Sequence, residues 1–353
     1  MPEFTLPFRP ELSLPVILFY AAVAFIGVVA LTPWFVRFLT TNRIGKQLRV
    51  ETIDGREPTI FRTYHAAKIG TPTMGGLIIW GGILITVLFS RLLSLSGVVE
   101  HSILQRGQVY LPLFVMVALG IVGAVDDYLN VRGIGRTKGI DFLPKLGFLL
   151  VISVSGALWF FLKLGYDSVH VPFYGIIDVG WWYVPIFIFI IIATANAVNF
   201  TDGLDGLAGG LLAIAFGSFG VLAYLQGLSV LAAFCAVCVG AIAAFLWHNV
   251  PPALFFMGDT GSLALGGALG VIALMTDQVL LLPLIGFIFV LEALSVVIQL
   301  TSKKLRGGKK VFRAAPIHHH FQAIGWGESK VTMRLWIIGA FFAAIGIMIG
   351  LAG

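Results

Sequence analysis

Charge is what this chain has least of. Of its 353 residues only 11% are Asp, Glu, Lys or Arg, against 58% hydrophobic, and the mean hydropathy is +0.98. A soluble protein of this length needs far more charge to cover its surface, so a water-soluble globular domain is excluded and most of the chain is expected in lipid. Residues 206–258 carry no Asp, Glu, Lys or Arg at all. Cysteine is equally scarce: Cys235 and Cys238 form a C-x-x-C inside an apolar run, where a redox or metal role lacks polar access and small apolar packing is expected. No long-period repeat or low-complexity tract is present. The first apolar run lacks a short basic segment before it and is longer than a signal-peptide core, so it is expected to remain as an uncleaved helix.

What is present is a succession of apolar runs of about 20 residues, the length that crosses a bilayer as a helix. They fall at 14–36, 70–90, 108–125, 145–163, 183–201, 205–225, 229–248, 260–276, 279–300 and 333–351. The stretch 206–258 is too long for one crossing and is divided near Gln226-Gly227, with its end at Pro251-Pro252. The expected fold is all-α, a polytopic membrane protein with about ten transmembrane helices forming a single domain over 1–353. The 42 glycines include several spaced along helices, as close membrane-helix packing favours.

Orientation follows from the basic residues. With ten spans, all but Arg9, Arg91, Arg106 and Lys163 of the 23 Lys and Arg lie on or beside the odd-numbered connections. The positive-inside rule makes that face cytoplasmic and puts both termini outside. The rule also accounts for the net charge of +6 and the pI near 9.4. Such a basic surface serves topology, anionic headgroups and phosphorylated substrates more economically than nucleic acid, and no nucleic-acid partner is expected.

Acids gather on that same face. Asp126, Asp127, Asp202, Asp205 and Asp259 each stand where an apolar run meets a polar loop. Carboxylates gathered at one interface suit metal and phosphate chemistry at the lipid boundary. Adjacent Asp126 and Asp127 raise each other's proton affinity unless a cation offsets them, so one can act as a base while its neighbour orients Mg²⁺. The most specific stretch is Asn199-Phe200-Thr201-Asp202-Gly203-Leu204-Asp205-Gly206. Its glycines allow a tight reversal, and the helix that follows presents free N–H groups, an arrangement that can seat a nucleotide.

Gly258-Asp259-Thr260 opens the eighth run, where Asp259 is either a helix cap or a functional acid. Phe256 can stack on a base, and Asn249 adds an amide at the same interface. Lys68, Thr73 and the glycines between 70 and 76 offer a phosphate site. His318, His319 and His320 cannot all point one way, which argues against a helical zinc site and for phosphate hydrogen bonding or proton shuttling. Glu292 and Gln299 stand seven apart and share a helix face. Glu292 is expected to pair with an interior polar group, and Gln299, nearer the cytoplasmic end, to touch substrate.

Together these motifs resemble the polyprenyl-phosphate N-acetylhexosamine-1-phosphate transferases, and within them the bacterial phospho-N-acetylmuramoyl-pentapeptide transferase branch. The resemblance spans nearly the whole chain. It rests on residues 70–76, Asp126-Asp127-Tyr128, residues 199–208, residues 258–262 and Pro316-Ile317-His318-His319-His320-Phe321, in family order. It implies Mg²⁺-dependent transfer of phospho-MurNAc-pentapeptide from UDP-MurNAc-pentapeptide to undecaprenyl phosphate, giving lipid I and UMP, in the bacterial cytoplasmic (inner) membrane.

Carried over by residue, Asp126 activates the lipid phosphate and Asp127 supports it and approaches the metal. The resemblance makes Asp259 the leading Mg²⁺ ligand, with Asn199 at the metal or diphosphate. Lys68, Asp202, Gly203, Leu204, Asn249 and Phe256 surround the uridine. His318, His319 and His320 match the loop on the nucleotide-sugar side, with Gln299 nearby. Asp205 shapes or caps the start of the sixth helix. Asn130 and Gln322 depart from the family pattern, which touches local contacts that Arg132 or Lys138 can supply. A homodimer is among the assemblies left open. The competing expectations are a related transferase using another UDP-amino sugar and, from another class, an ion-coupled transporter. A transporter would place its polar binding groups near midmembrane.

Overall fold

The computed structural model describes residues 11–45, 68, 70–104, 107–135 and 138–353. Of the basic residues used for orientation, Arg9, Lys46, Arg49, Arg56, Arg62, Arg106 and Arg136 lie outside the described residues. The helices are α1 (Leu14–Thr41), α2 (Gly76–Leu95), α3 (Tyr110–Arg132), α4 (Phe142–Leu158), α5 (Tyr183–Thr201), α6 (Leu207–Leu225), α7 (Ser229–Asn249), α8 (Asp259–Met275), α9 (Leu282–Ile285), α10 (Phe287–Leu305), α11 (Ile317–Ala323) and α12 (Glu328–Ala352).

Among the described residues, eight helices are long and apolar enough to cross a membrane, or nine if α9 and α10 with the turn before them form one broken span. The protein is thus a mostly helical, multi-pass membrane protein. Two of the ten expected runs differ in kind. The run at 279–300 is not one rod: the chain leaves helical geometry at Gly286, and the axis bends by 82° between its two pieces. Apolar composition records burial but not axis direction, so the break is invisible to hydropathy. The run at 260–276 becomes α8, only 17 residues long, or about 26 Å at 1.5 Å per residue. Every α8 residue from Thr260 to Met275 is buried, so this helix is sheathed by protein rather than lipid.

Small residues let it sit there. Gly266 and Gly270 bring α8 against Thr194 of α5, and Gly267 meets Val115 and Leu119 of α3. Without a difference in apolarity between lipid and side chain, such close backbone approach supplies the packing energy between membrane helices.

Two boundary shifts bear on chemistry. α3 continues to Arg132, ending on Gly133 in the left-handed conformation, so Asp126 and Asp127 lie within the helix and not at its end. α2 begins only at Gly76, which leaves Thr73 in the preceding loop. A two-stranded antiparallel hairpin, β1 (Ser168–Val171) and β2 (Gly175–Asp178), adds a small element to the all-α expectation, with Val169 opposite Ile177.

Candidate active site

The start of α8 is the point on which three other helices converge. Its first turn has N–H groups without intrahelical partners, and these are met from outside. Asp127 of α3 accepts from Asp259 N–H at 3.2 Å with Oδ1, and from Thr260 N–H at 3.0 Å and the Thr260 hydroxyl at 2.7 Å with Oδ2. Asp202, just after α5, accepts from Gly258 N–H at 3.1 Å. Gly258 has φ of 73°, which suits glycine, and a Cβ there would lie 2.3 Å from Asp127 Oδ2 and 3.0 Å from Thr73 Oγ1. Thr73 is therefore packed beside this turn.

One helical position before Asp127, Asp126 faces a different partner set. Its Oδ1 accepts from Ile140 N–H at 2.6 Å, and its Oδ2 lies 3.4 Å from Lys145 Nζ. Lys145, in the first turns of α4, also pairs with Asp259 Oδ2. The other oxygen of Asp259 accepts from Asn199 Nδ2 at 2.7 Å, and the same amide donates to Ser262 Oγ at 2.9 Å. One ammonium thus bridges two carboxylates from different helices, with an amide fixing the second. Asp126 is 7% exposed and Asp259 24%, so the cluster opens on the Asp259 side.

A second cluster lies on the other side of residues 202–206. Lys68 Nζ pairs with Asp205 Oδ1 at 2.6 Å and Glu328 Oε1 at 2.5 Å, and stands 5.8 Å from the centre of the Phe256 ring. Asp205 Oδ2 accepts from Ala253 N–H at 3.0 Å, and its own N–H donates to Glu328 at 2.7 Å. Asn249 ties Gly206 N–H, at 2.9 Å, to Phe255 O, at 2.8 Å. Phe256 is held by backbone bonds to Pro72 O and from Gly75 N–H, both 2.8 Å, which joins the loop before α2 to the loop before α8. Leu204 is buried.

The histidines divide by partner. His318 is fully buried, with Nδ1 3.0 Å from the equally buried Glu292 Oε2, and its Nε2 edge abuts Gly203. His319 Nδ1 lies 2.9 Å from Gln322 Oε1, and His320 Nδ1 accepts from Arg313 N–H at 3.1 Å. Gln299 spans the backbone of the cationic loop. Its Nε2 donates to Phe312 O, and its Oε1 accepts from Val311 and Phe312 N–H, all at 3.0 Å. Glu292 does meet an interior polar neighbour.

Asp126, Asp127, Asn199, Asp202 and Asp259 are therefore brought together at α8. Lys68, Asp205, Asn249 and Phe256 form the adjoining group, and Gln299 and His318–His320 lie on the α10–α11 side. Two charged residues that hold the acids of these clusters were not singled out from sequence as site residues: Lys145 and Glu328. A lone lysine in the apolar run Phe142-Leu143-Pro144-Lys145-Leu146 was a usable signal, because a charge there needs a partner.

Comparison with known proteins decides what this constellation belongs to. The family model described as Glycosyl transferase family 4 matches residues 109–277. The phospho-N-acetylmuramoyl-pentapeptide-transferase of Chloroflexus aurantiacus is 40% identical over 95% of this chain and 89% of its own length. Those of Anoxybacillus flavithermus and Geobacillus thermodenitrificans are 42% and 40% identical, each over 95% of this chain and 98% of their own. The chain belongs to the phospho-N-acetylmuramoyl-pentapeptide-transferase family. It is accordingly an enzyme, a transferase of peptidoglycan biosynthesis.

In chemical terms, the α8 cluster can take a hard cation. Among the described residues no three His, Cys, Asp or Glu side chains converge as a ready-made metal cage. Mg²⁺ commonly takes only one or two protein carboxylates, leaving its other oxygen positions to water and substrate phosphate. Asp126 and Asp259 already share one cation, the Lys145 ammonium, and all their donor atoms are hard oxygens.

Proposed function

We propose that this enzyme transfers phospho-MurNAc-pentapeptide from UDP-MurNAc-pentapeptide to undecaprenyl phosphate, releasing UMP and forming lipid I, with Mg²⁺ as cofactor. The observation that carries this reading is the bridging of Asp126 and Asp259 by Lys145 beside Asn199 at the start of α8. Phosphoryl transfer demands little covalent chemistry from protein and much charge placement. An oxygen of the lipid phosphate attacks the sugar-bearing phosphorus, the bond from that phosphorus to the bridging oxygen breaks, and the electron pair leaves on UMP.

Asp126, shielded and held by Ile140 N–H, is placed to accept the proton of the lipid phosphate. Lys145 supplies fixed positive charge between the two acids. Asp259 and Asn199 would hold Mg²⁺, which when bound neutralises charge on the diphosphate. Asp127, with both oxygens engaged on α8, keeps that turn in place. The Lys68, Asp205, Asn249 and Phe256 group carries aromatic and amide surfaces suited to a nucleoside, and the His319–His320 loop suits the sugar side. Direct attack and a two-step route through an aspartyl-phosphate are both compatible with this placement.

The same reading puts the site on the cytoplasmic face of the bacterial inner membrane. Counting the eight long helices, the bent pair and α8 gives ten passes, with both termini outside. The charge asymmetry of the loops supports that orientation.

Purified protein in detergent, given Mg²⁺, undecaprenyl phosphate and UDP-MurNAc-pentapeptide, is expected to release UMP. Chelation should stop the release and added Mg²⁺ restore it. Release from UDP-N-acetylglucosamine in place of the MurNAc-pentapeptide donor would overturn the substrate assignment.

A further inference from the structure

Glu292 is the one acid in the apolar sequence Phe287-Ile288-Phe289-Val290-Leu291-Glu292-Ala293-Leu294, and it has no exposed surface. A carboxylate in such a place is costly unless a buried partner meets it. His318 is that partner, also with no exposed surface: its ring Nδ1 lies 3.0 Å and its backbone N 3.4 Å from Glu292 Oε2. A neutral imidazole carries one ring proton, and a carboxylate opposite Nδ1 draws the proton to that nitrogen and fixes the ring plane.

The opposite edge of the ring is then set as well. Nε2 is buried and has no hydrogen-bond partner. It lies against Gly203, where a Cβ would stand 2.2 Å from Nε2 and 2.7 Å from Cε1. The imidazole is therefore a wedge beneath the turn after α5, and only a residue without a side chain fits above it.

That turn has two working arms. Asp202 reaches Gly258 N–H next to Asp259, while Asp205 holds Lys68 and donates its own N–H to Glu328. A shift at Gly203 would move the metal-side arm and the nucleoside-side arm together.

We propose that Glu292 is a positioning residue for the reaction: by holding His318 it fixes the imidazole under Gly203 and so sets the geometry of residues 202–206. This rests on the function proposed above. His318 in this arrangement acts from beneath the turn and not by touching substrate.

The test compares Glu292→Leu, which removes the hydrogen bond, with Glu292→Gln, whose amide oxygen still accepts from Nδ1. In Glu292→Leu the KM for UDP-MurNAc-pentapeptide is expected to rise about fivefold or more while the KM for undecaprenyl phosphate stays put. Glu292→Gln should return it to within about twofold of wild type, because the acceptor is retained. A merely structural loss lowers the active fraction, and hence kcat, without moving either KM.

Hydrogen exchange at the amides of residues 203, 205 and 206 gives a substrate-free readout, expected to be faster in Glu292→Leu and unchanged in Glu292→Gln. Should wild-type protein release no UMP, the proposed function fails and exchange alone decides the positioning role. If Glu292→Leu does not yield folded protein, Gly203→Ala strains the same contact from the other side and is expected to give the same KM split. Wild-type KM values and exchange in Glu292→Leu or Gly203→Ala, or equal rises in both KM values, would overturn the proposal.

Discussion

Thr260 donates twice to Asp127, from its hydroxyl at 2.7 Å and its N–H at 3.0 Å, so an acid on α3 caps a helix to which it does not belong. A helix start concentrates unpaired N–H groups and partial positive charge, and a carboxylate set against it answers both. Asp126, its neighbour in sequence, points to Lys145 and the Ile140 amide. Adjacent identical residues thereby acquire different partners, one capping α8 and the other paired with the ammonium that also meets Asp259.

Replacing each by asparagine should separate these roles. Asp127→Asn turns one acceptor oxygen into an NH₂ that faces N–H and O–H donors, and is expected to cost roughly 1–3 kcal/mol. Thermal unfolding in detergent should then show a Tm several degrees below wild type. Asp126→Asn should unfold close to wild type yet lose most turnover. A wild-type Tm for Asp127→Asn would reject the capping role.

Asp259→Asn tests the proposed metal site. The amide keeps the shape and one acceptor oxygen for Asn199, but it removes the charge that pairs with Lys145 and would bind Mg²⁺. Turnover is expected to fall by about 10² to 10³, the scale on which lost charge stabilisation in a transition state is felt. The protein should still be recovered folded. Near-normal turnover at saturating Mg²⁺ would remove Asp259 from that role.

Much of this arrangement could be read from the sequence, for identifiable reasons. The runs at 183–201 and 229–248 coincide with α5 and α7 almost to the residue, because each is bounded by polar or turn-forming residues. The convergence of Asp126, Asp202 and Asp259 was legible as acids sharing one interface. Lys145 was counted only among topology-setting charges, since its partners are 19 and 114 residues away and no local spacing joins them. Glu328 was missed likewise, lying 260 residues from Lys68. The hairpin at 168–178 has strands too short for alternation to show. Gln299 was expected at the substrate because it lies toward the cytoplasmic end. Its amide also engages the loop backbone at Phe312 through both ends, a long-range pairing that helix periodicity does not encode.

Close packing of α3 on α8 sets the Asp126–Asp259 relationship as much as the charges do. A Cβ at Gly123 would stand 2.2 Å from Asp259 O and 2.6 Å from Thr260 N, both backbone atoms that cannot swing aside. Gly123→Ala must therefore push the start of α8 away from α3, at a cost of about 1–3 kcal/mol in overpacking. The displacement should also lengthen the separation that Lys145 bridges, so turnover is expected to drop by about tenfold or more, the scale on which small misplacements act. Gly27 is the control: a Cβ there meets nothing within 4 Å, and Gly27→Ala in α1 should leave turnover intact and Tm equal or slightly raised. UMP release and thermal unfolding measured on both variants check this. If Gly123→Ala and Gly27→Ala behave alike, backbone contact between α3 and α8 does not govern the geometry of the acids.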